Sequence, residues 1–160
     1  MRSDPFVLAV TALLAGACAA YSGAGVQPGA SEAQVLQAMG SPALTFDNPD
    51  GTRSLIYPRG PMGNETYIAR LRGGQVHSID QVLNDAHFDS MPLGVSEQEV
   101  LRELGPPRDS MAYKLSNTHS WDWKYMDTWG YESLFSITFD AQGRAISKFK
   151  QRIERGDHRK

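Results

Sequence analysis

Hydrophobic and polar positions along the chain repeat as one pattern used twice. After Ser31, apolar side chains fall at Val35, Leu36 and Met39, which is one face of a short helix. After Ser96 they fall at Val100, Leu101 and Leu104, the same face again. Each Ser is placed to cap the first turn, and Ser96 with Glu99 has the three-residue spacing of a capping box. Gly40-Ser41-Pro42 ends the first helix and Gly105-Pro106-Pro107 the second, a left-handed stop followed by a residue that cannot continue a helix. A match at fixed offset means two structural units.

Period-two alternation follows each stop. In the first unit, short runs at Ala43–Phe46 and Arg53–Tyr57 flank the turn Asn48-Pro49-Asp50-Gly51, and Pro58–Asn64 reads as a loop. Tyr67, Ala69 and Leu71 alternate next, Gly73-Gly74 closes a hairpin, and Val76–Leu83 returns. In the second unit, Met111–Leu115 is a weak strand, and Trp121, Trp123 and Tyr125 alternate with Asp122 and Lys124. Trp129-Gly130-Tyr131 is a loop, Phe135, Ile137 and Phe139 alternate, Asp140–Gly143 turns, and Arg144–Ile153 returns. The two returning segments, Val76, Ile79, Leu83 and Ile146, Phe149, Ile153, share a spacing of three then four. Two readings fit it: a strand whose bulge restores the buried face, which the preceding turns favour, or a terminal helix. The expected fold class is α+β: two tandem small units over 28–84 and 92–153, each a short helix on a three- to four-stranded antiparallel meander. Residues 85–91 link them, with Phe88 and Met91 packing at the junction.

Ahead of the repeats, residues 1–17 have an early Arg2, an apolar run from Phe6 to Leu14 and then small residues, the layout of a signal peptide. Leu14-Ala15-Gly16-Ala17-Cys18 resembles a bacterial lipobox, which implies acylation of Cys18 and attachment to outer-membrane lipid. The other readings are an ordinary signal peptide ending near Ala20 and an uncleaved anchor. Residues 18–27 are small and polar and read as a flexible tether. Residues 154–160 read as a basic tail, either solvated or facing acidic headgroups.

Helix, stop and meander, with Gly94–Pro107, Trp121-Asp122-Trp123-Lys124-Tyr125 and Phe135–Gly143, resemble the SmpA/OmlA (BamE-like) family of outer-membrane lipoproteins. The resemblance is fuller over 92–149 than over 26–83. It implies a non-enzymatic scaffold on the periplasmic face of the outer membrane, with a protein partner among the barrel-assembly subunits. Tandem domains of this shape also resemble secreted β-lactamase-inhibitory proteins, which implies a second reading as a periplasmic binder or inhibitor of an enzyme.

Charge and candidate chemistry narrow the function further. A formal net charge of -2 gives no global attraction for nucleic acid. The single Cys excludes an internal disulfide. His77, His87, His119 and His158 lack metal-ligand spacing, and Gly60–Asn64 lacks the Lys-Ser/Thr of a phosphate loop, so no metal, cofactor or catalytic residue is expected. Trp121, Trp123 and Tyr125 suit a core beneath the second helix. Trp129 and Tyr131 fall in a loop, where aromatic side chains serve as binding anchors. Arg59, Met62 and Asn64 occupy the corresponding loop of the first unit and complete the expected partner-binding set.

Overall fold

The computed structural model describes residues 22–59 and 63–153. The signal peptide, Cys18, Met62 and the basic tail lie outside the described residues. Helices α1 (Glu32–Met39) and α3 (Glu97–Leu104) are the two expected ones. Both begin with reciprocal caps. Ser96 Oγ accepts from the Glu99 N–H at 3.3 Å, while Glu99 Oε2 accepts from the Ser96 N–H at 2.7 Å. Ser31 and Gln34 make the same box at 3.4 and 2.8 Å. Four otherwise orphaned helix-end and cap amides are satisfied in this way. Gly40 and Gly105 both turn the chain at positive φ, 79° and 74°, a conformation that glycine alone adopts freely.

Two four-stranded antiparallel sheets follow. The first runs in order β1 (Leu44–Asp47), β2 (Thr52–Arg59), β3 (Glu65–Arg72) and β4 (Gln75–Gln81). The second runs β5 (Asp109–Tyr113), β6 (Thr118–Met126), β7 (Glu132–Phe139) and β8 (Ala145–Arg152). Strand β2 is longer than expected, since Pro58 and Arg59 remain paired with Thr66 and Glu65 rather than joining the loop. Both returning segments are strands, each with a register shift, between Arg70 and Leu71 in the first sheet and between Thr138 and Phe139 in the second. Leu71 pairs with Val76 and Arg70 with Ser78, so His77 is the extra residue. Phe139 pairs with Ala145 and Thr138 with Ser147, so Ile146 holds the same place.

The bulge restores a buried face in the first unit but not in the second. Val76 is buried, whereas Ile146 and Phe149 are exposed. Opposite Ile137 and Phe135 on the inner face of β8 stand Lys148 and Lys150. Lys148 Nζ donates to the carbonyls of Phe88, Asp89 and Met91 at 2.9, 2.9 and 2.6 Å. Those carbonyls end helix α2 (Asp85–Ser90), which occupies the expected link. A helix terminus needs donors. The inward positions of β8 therefore carry lysines, and the apolar positions face outward.

The sheets are not independent of one another. Helix α1 lays Val35 and Met39 on one face of the first sheet, with Leu55, Tyr57, Ala69, Leu71 and Val76. The opposite face offers Ile56 and Ile68, and these join a second cluster with Val100 and Leu104 of α3, Phe88 of α2, and Trp123, Tyr125, Phe135, Ile137 and Phe139 of the second sheet. The order of layers is α1, first sheet, α2 with α3, second sheet. Burying Ile56 and Ile68 contributes about 1.5–3 kcal/mol each and ties the two units into one core. Residues 22–27, expected as tether, also belong to the folded body. Gly23 is buried against Met39 and Ile79, Val26 packs on the first cluster, and the Gly29 N–H donates to the Val76 carbonyl at 2.8 Å.

One row of the second sheet departs from the repeat. In the first sheet Leu44 pairs with Ile56, which pairs with Ile68, and this row meets α3. The matching row of the second sheet is Asp109, Asp122 and Ser136, with Ser136 Oγ donating to Asp122 Oδ1 at 2.5 Å.

Candidate partner-binding site

Among the described residues, the exposed large apolar side chains are distributed unevenly. Leu36 belongs to the first unit, Leu93 precedes α3, and Met111, Tyr113, Leu115, Met126, Trp129, Tyr131, Ile146 and Phe149 belong to the second. Trp129 is 80% exposed and Tyr131 54%, both in the β6–β7 hairpin loop.

That loop is held by two carboxylates. Asp127 Oδ1 accepts the backbone N–H of Trp129 at 2.9 Å and of Tyr131 at 2.8 Å. Its Oδ2 accepts from Arg152 Nη2 at 2.8 Å, and the Arg152 guanidinium lies 4.0 Å from the centre of the Tyr131 ring. Asp85, in the first turn of α2, reaches across from the other side. It accepts from the Thr128 N–H and hydroxyl at 2.8 Å each and from the Tyr125 hydroxyl at 2.8 Å, and pairs with Lys150 Nζ at 3.0 Å. Burial opposes ionisation of Asp85, but the donors from Thr128, Lys150 and Tyr125 outweigh it and hold the carboxyl well below the usual carboxylate range. Asp127 is shifted the same way: burial acts against the charge, and the amides of Tyr131 and Trp129 with Arg152 more than offset it. Burial first, and then the bond to Asp85, push the Tyr125 hydroxyl up, so it stays a donor. The result is a rigid loop that presents an uncovered indole. An ordered exposed aromatic loses little conformational freedom on binding, which is what distinguishes an anchor from a loose loop residue.

The first-unit members of the expected set are placed otherwise. The Arg59 guanidinium donates to the Met39 carbonyl at the end of α1 and lies 5.3 Å from the centre of the Tyr57 ring. Asn64 is half-buried at the start of β3. Among the described residues, no hydrogen bond, ion pair or ring contact joins Arg59 or Asn64 to Trp129 or Tyr131. Trp123 and Tyr125 lie in the core, as expected, and Trp121 packs at its margin. His119 pairs with Glu97 at 3.1 Å and stacks on Phe139 at 5.2 Å. A cleft of about 690 Å³ opens between the turns of the first sheet and α2–α3. Its wall carries Arg70, Arg72 and Arg102 against Asp50, Glu99 and Glu103, so the charges balance within the protein. In the sequence Asp85 stands out only with Asp80 and Asp89, at a spacing that lacks the Gly-punctuated loop of a calcium site, and Asp127 is not singled out. Asp127-Thr128-Trp129-Gly130 does carry a signal for its part, a carboxylate placed to bond the backbone two residues on.

No family model matches the chain, and no curated protein sequence does. A solved structure described as the osmotically inducible lipoprotein OsmE is similar to part of it, with a TM-score of 0.36 and 22% identity over 39% of this chain and 65% of that one.

Proposed function

We propose that this protein is a non-enzymatic, lipid-anchored scaffold of the SmpA/OmlA type, held on the periplasmic face of the outer membrane and binding a protein partner through its second unit. The observation that carries the partner-binding part is the clamped hairpin that leaves Trp129 80% exposed. Asp127 and Asp85 fix the loop backbone at Trp129, Tyr131 and Thr128. Anchorage rests on Leu14–Cys18, whose small residues ahead of the Cys suit a lipobox. Acyl chains contribute about 0.8 kcal/mol per buried CH₂, so several chains retain a small protein at a membrane. The folding of residues 22–27 onto α1 and β4 leaves a short span from Cys18 to the body, which favours a partner at the membrane surface over one deep in the periplasm. A role beside the barrel-assembly subunits is the specific form of this reading.

Crosslinking in intact membranes followed by mass spectrometry tests it. The parent is expected to capture a discrete partner, Trp129→Ala to lose it while remaining folded and membrane-bound, and Cys18→Ser to leave the membrane fraction. Unchanged capture by Trp129→Ala would remove the anchor. Membrane retention of Cys18→Ser would remove the lipid attachment. Recovery of a partner that is not a barrel-assembly subunit would remove the assembly role alone.

A further inference from the structure

Among the described residues the two sheets have four edges, and three are closed. Strand β1 is four residues long, lies between Pro42 and Pro49, and packs Leu44 and Phe46 against the shared core. Strand β4 is bulged at His77 and exchanges bonds with the segment before α1, Gly29 to Val76 and Val76 to Ala30, each at 2.8 Å. Strand β8 is bulged at Ile146, carries Lys148, Lys150 and Arg152, and is paired at its start by Gly94 and Val95. Short length, proline, bulges and cations are the devices by which proteins close an edge to other chains.

Strand β5, five residues long with Pro107, Arg108 and Lys114 only at its flanks, has no bulge and no cation within it. All five of its residues are exposed, no Pro or Gly interrupts 109–115, and its ladder to β6 is in register throughout. Among the described residues its partners lie on β6, apart from Arg108, which pairs with the Asp109 carboxylate at 3.3 Å, and a bond from the Ser116 hydroxyl to the Tyr113 carbonyl at 3.4 Å. On the outer face Met111 is 58% exposed and Tyr113 42%. On the face toward α3, Ser110 and Ala112 are small.

We propose that the free edge of β5 is a strand-addition site for an extended segment of a partner protein, apolar at alternate positions and acidic where it passes Lys114. A row of backbone donors and acceptors is complementary to another extended chain, and alternate side chains then set the preference. Met111 and Tyr113 supply the apolar contacts on one face. A second copy of β5 is a poorer occupant in the register that sets Met111 opposite itself, because Arg108, itself paired with Asp109 at 3.3 Å, then stands opposite Lys114 at both ends, and like charges directly opposite are destabilising. A carboxylate at that position removes the repulsion. This site is separate from the Trp129 loop and does not depend on acylation of Cys18.

The test is an NMR titration of the folded protein with a short capped peptide that alternates Val and Thr between terminal Glu residues. Binding is expected to slow amide exchange in β5 and to leave β4 and β8 unchanged. Met111→Ser with Tyr113→Ser, both at exposed positions, is expected to weaken binding about tenfold, equal to about 1.4 kcal/mol. Methylation of the peptide amides along both edges is expected to abolish it. The proposal is overturned by absence of binding at millimolar peptide, by equal binding of the doubly methylated peptide, or by protection that appears on another strand. Concentration-dependent protection of β5 without peptide would overturn it in favour of a second copy.

Discussion

Adding one methyl group at Gly105 tests whether the two units share a core. Gly105 ends α3 at φ 74° and ψ -173°, and Gly40 ends α1 at φ 79° and ψ -166°. In that region a residue other than Gly costs about 1–3 kcal/mol. The two substitutions to Ala therefore carry the same backbone strain. Their surroundings differ. A Cβ at Gly40 meets nothing within 4 Å, whereas one at Gly105 lies 2.8 Å from Ile56 Cγ2 and 3.0 Å from Thr66 Cγ2, both on the first sheet. Ile56 is β-branched and fully buried, so it has little freedom to turn away. Overpacking of this kind adds about 1–3 kcal/mol. Gly40→Ala is expected to cost about 1–3 kcal/mol and Gly105→Ala about 2–6 kcal/mol. Urea unfolding followed by tryptophan fluorescence gives both values, and Trp123 is a local reporter because its indole N–H donates to the Gly105 carbonyl at 3.3 Å. Thr66→Ser, which removes one of the two methyls, is expected to recover part of the loss in the Gly105→Ala background. Equal costs for the two glycines would refute the contact between α3 and the first sheet.

Phe88 is fully buried, stacks on Phe135 at 4.0 Å and meets Tyr125 edge-on at 4.7 Å, so Phe88→Ala is expected to cost about 3–5 kcal/mol and to shift unfolding of both units together in calorimetry. Asp85 has a folded-state pKa below its unfolded value of about 3.9, so its contribution is complete above that value and is lost as pH falls through the lower, folded one. Asp85→Asn is expected to cost about 1–3 kcal/mol near neutral pH and to lose less further stability than the parent when urea unfolding is repeated at pH values below about 4. An acid profile identical to the parent's would mean that the carboxylate does not hold the loop.

Local signals in the chain mark the two repeated helices, the strands and the fold class, but not α2. Ser31 and Ser96 start helices, Gly40 and Gly105 end them, Asn48–Gly51 and Asp140–Gly143 turn, and the preceding turns favour strands over a terminal helix for the two returning segments, whose spacing alone fits both. What was not legible has a common cause, the contact between units. Helix α3 meets the first sheet through Gly105 and through Arg102, whose guanidinium lies 5.4 Å from the centre of the Phe46 ring, and neither residue marks an apolar face. Helix α2 is six residues with Phe88 its single large apolar side chain, too short to show a period. Of the inward lysines of β8, Lys148 answers carbonyls of α2 about sixty residues away and Lys150 answers its carboxylates Asp85 and Asp89. At the candidate site, the exposure of Trp129 followed from its loop, but the clamp from Asp85 depends on tertiary placement.

The polar row Asp109, Asp122 and Ser136 disfavours the docking of a further helix on the outer face of the second sheet. Helix on sheet on helix on sheet is an arrangement with no internal reason to stop, since each sheet's outer face could receive the next helix. Here the last face is polar at the very positions where the preceding one is apolar. The row acts as the terminal cap of a solenoid. Converting it to Leu, Ile and Ile would recreate the first sheet's docking surface at the open end of the stack. The exposed side of α1 in another molecule could then settle there, and a contact of that head-to-tail kind propagates instead of closing. Three polar side chains thus oppose head-to-tail stacking of these two-unit bodies.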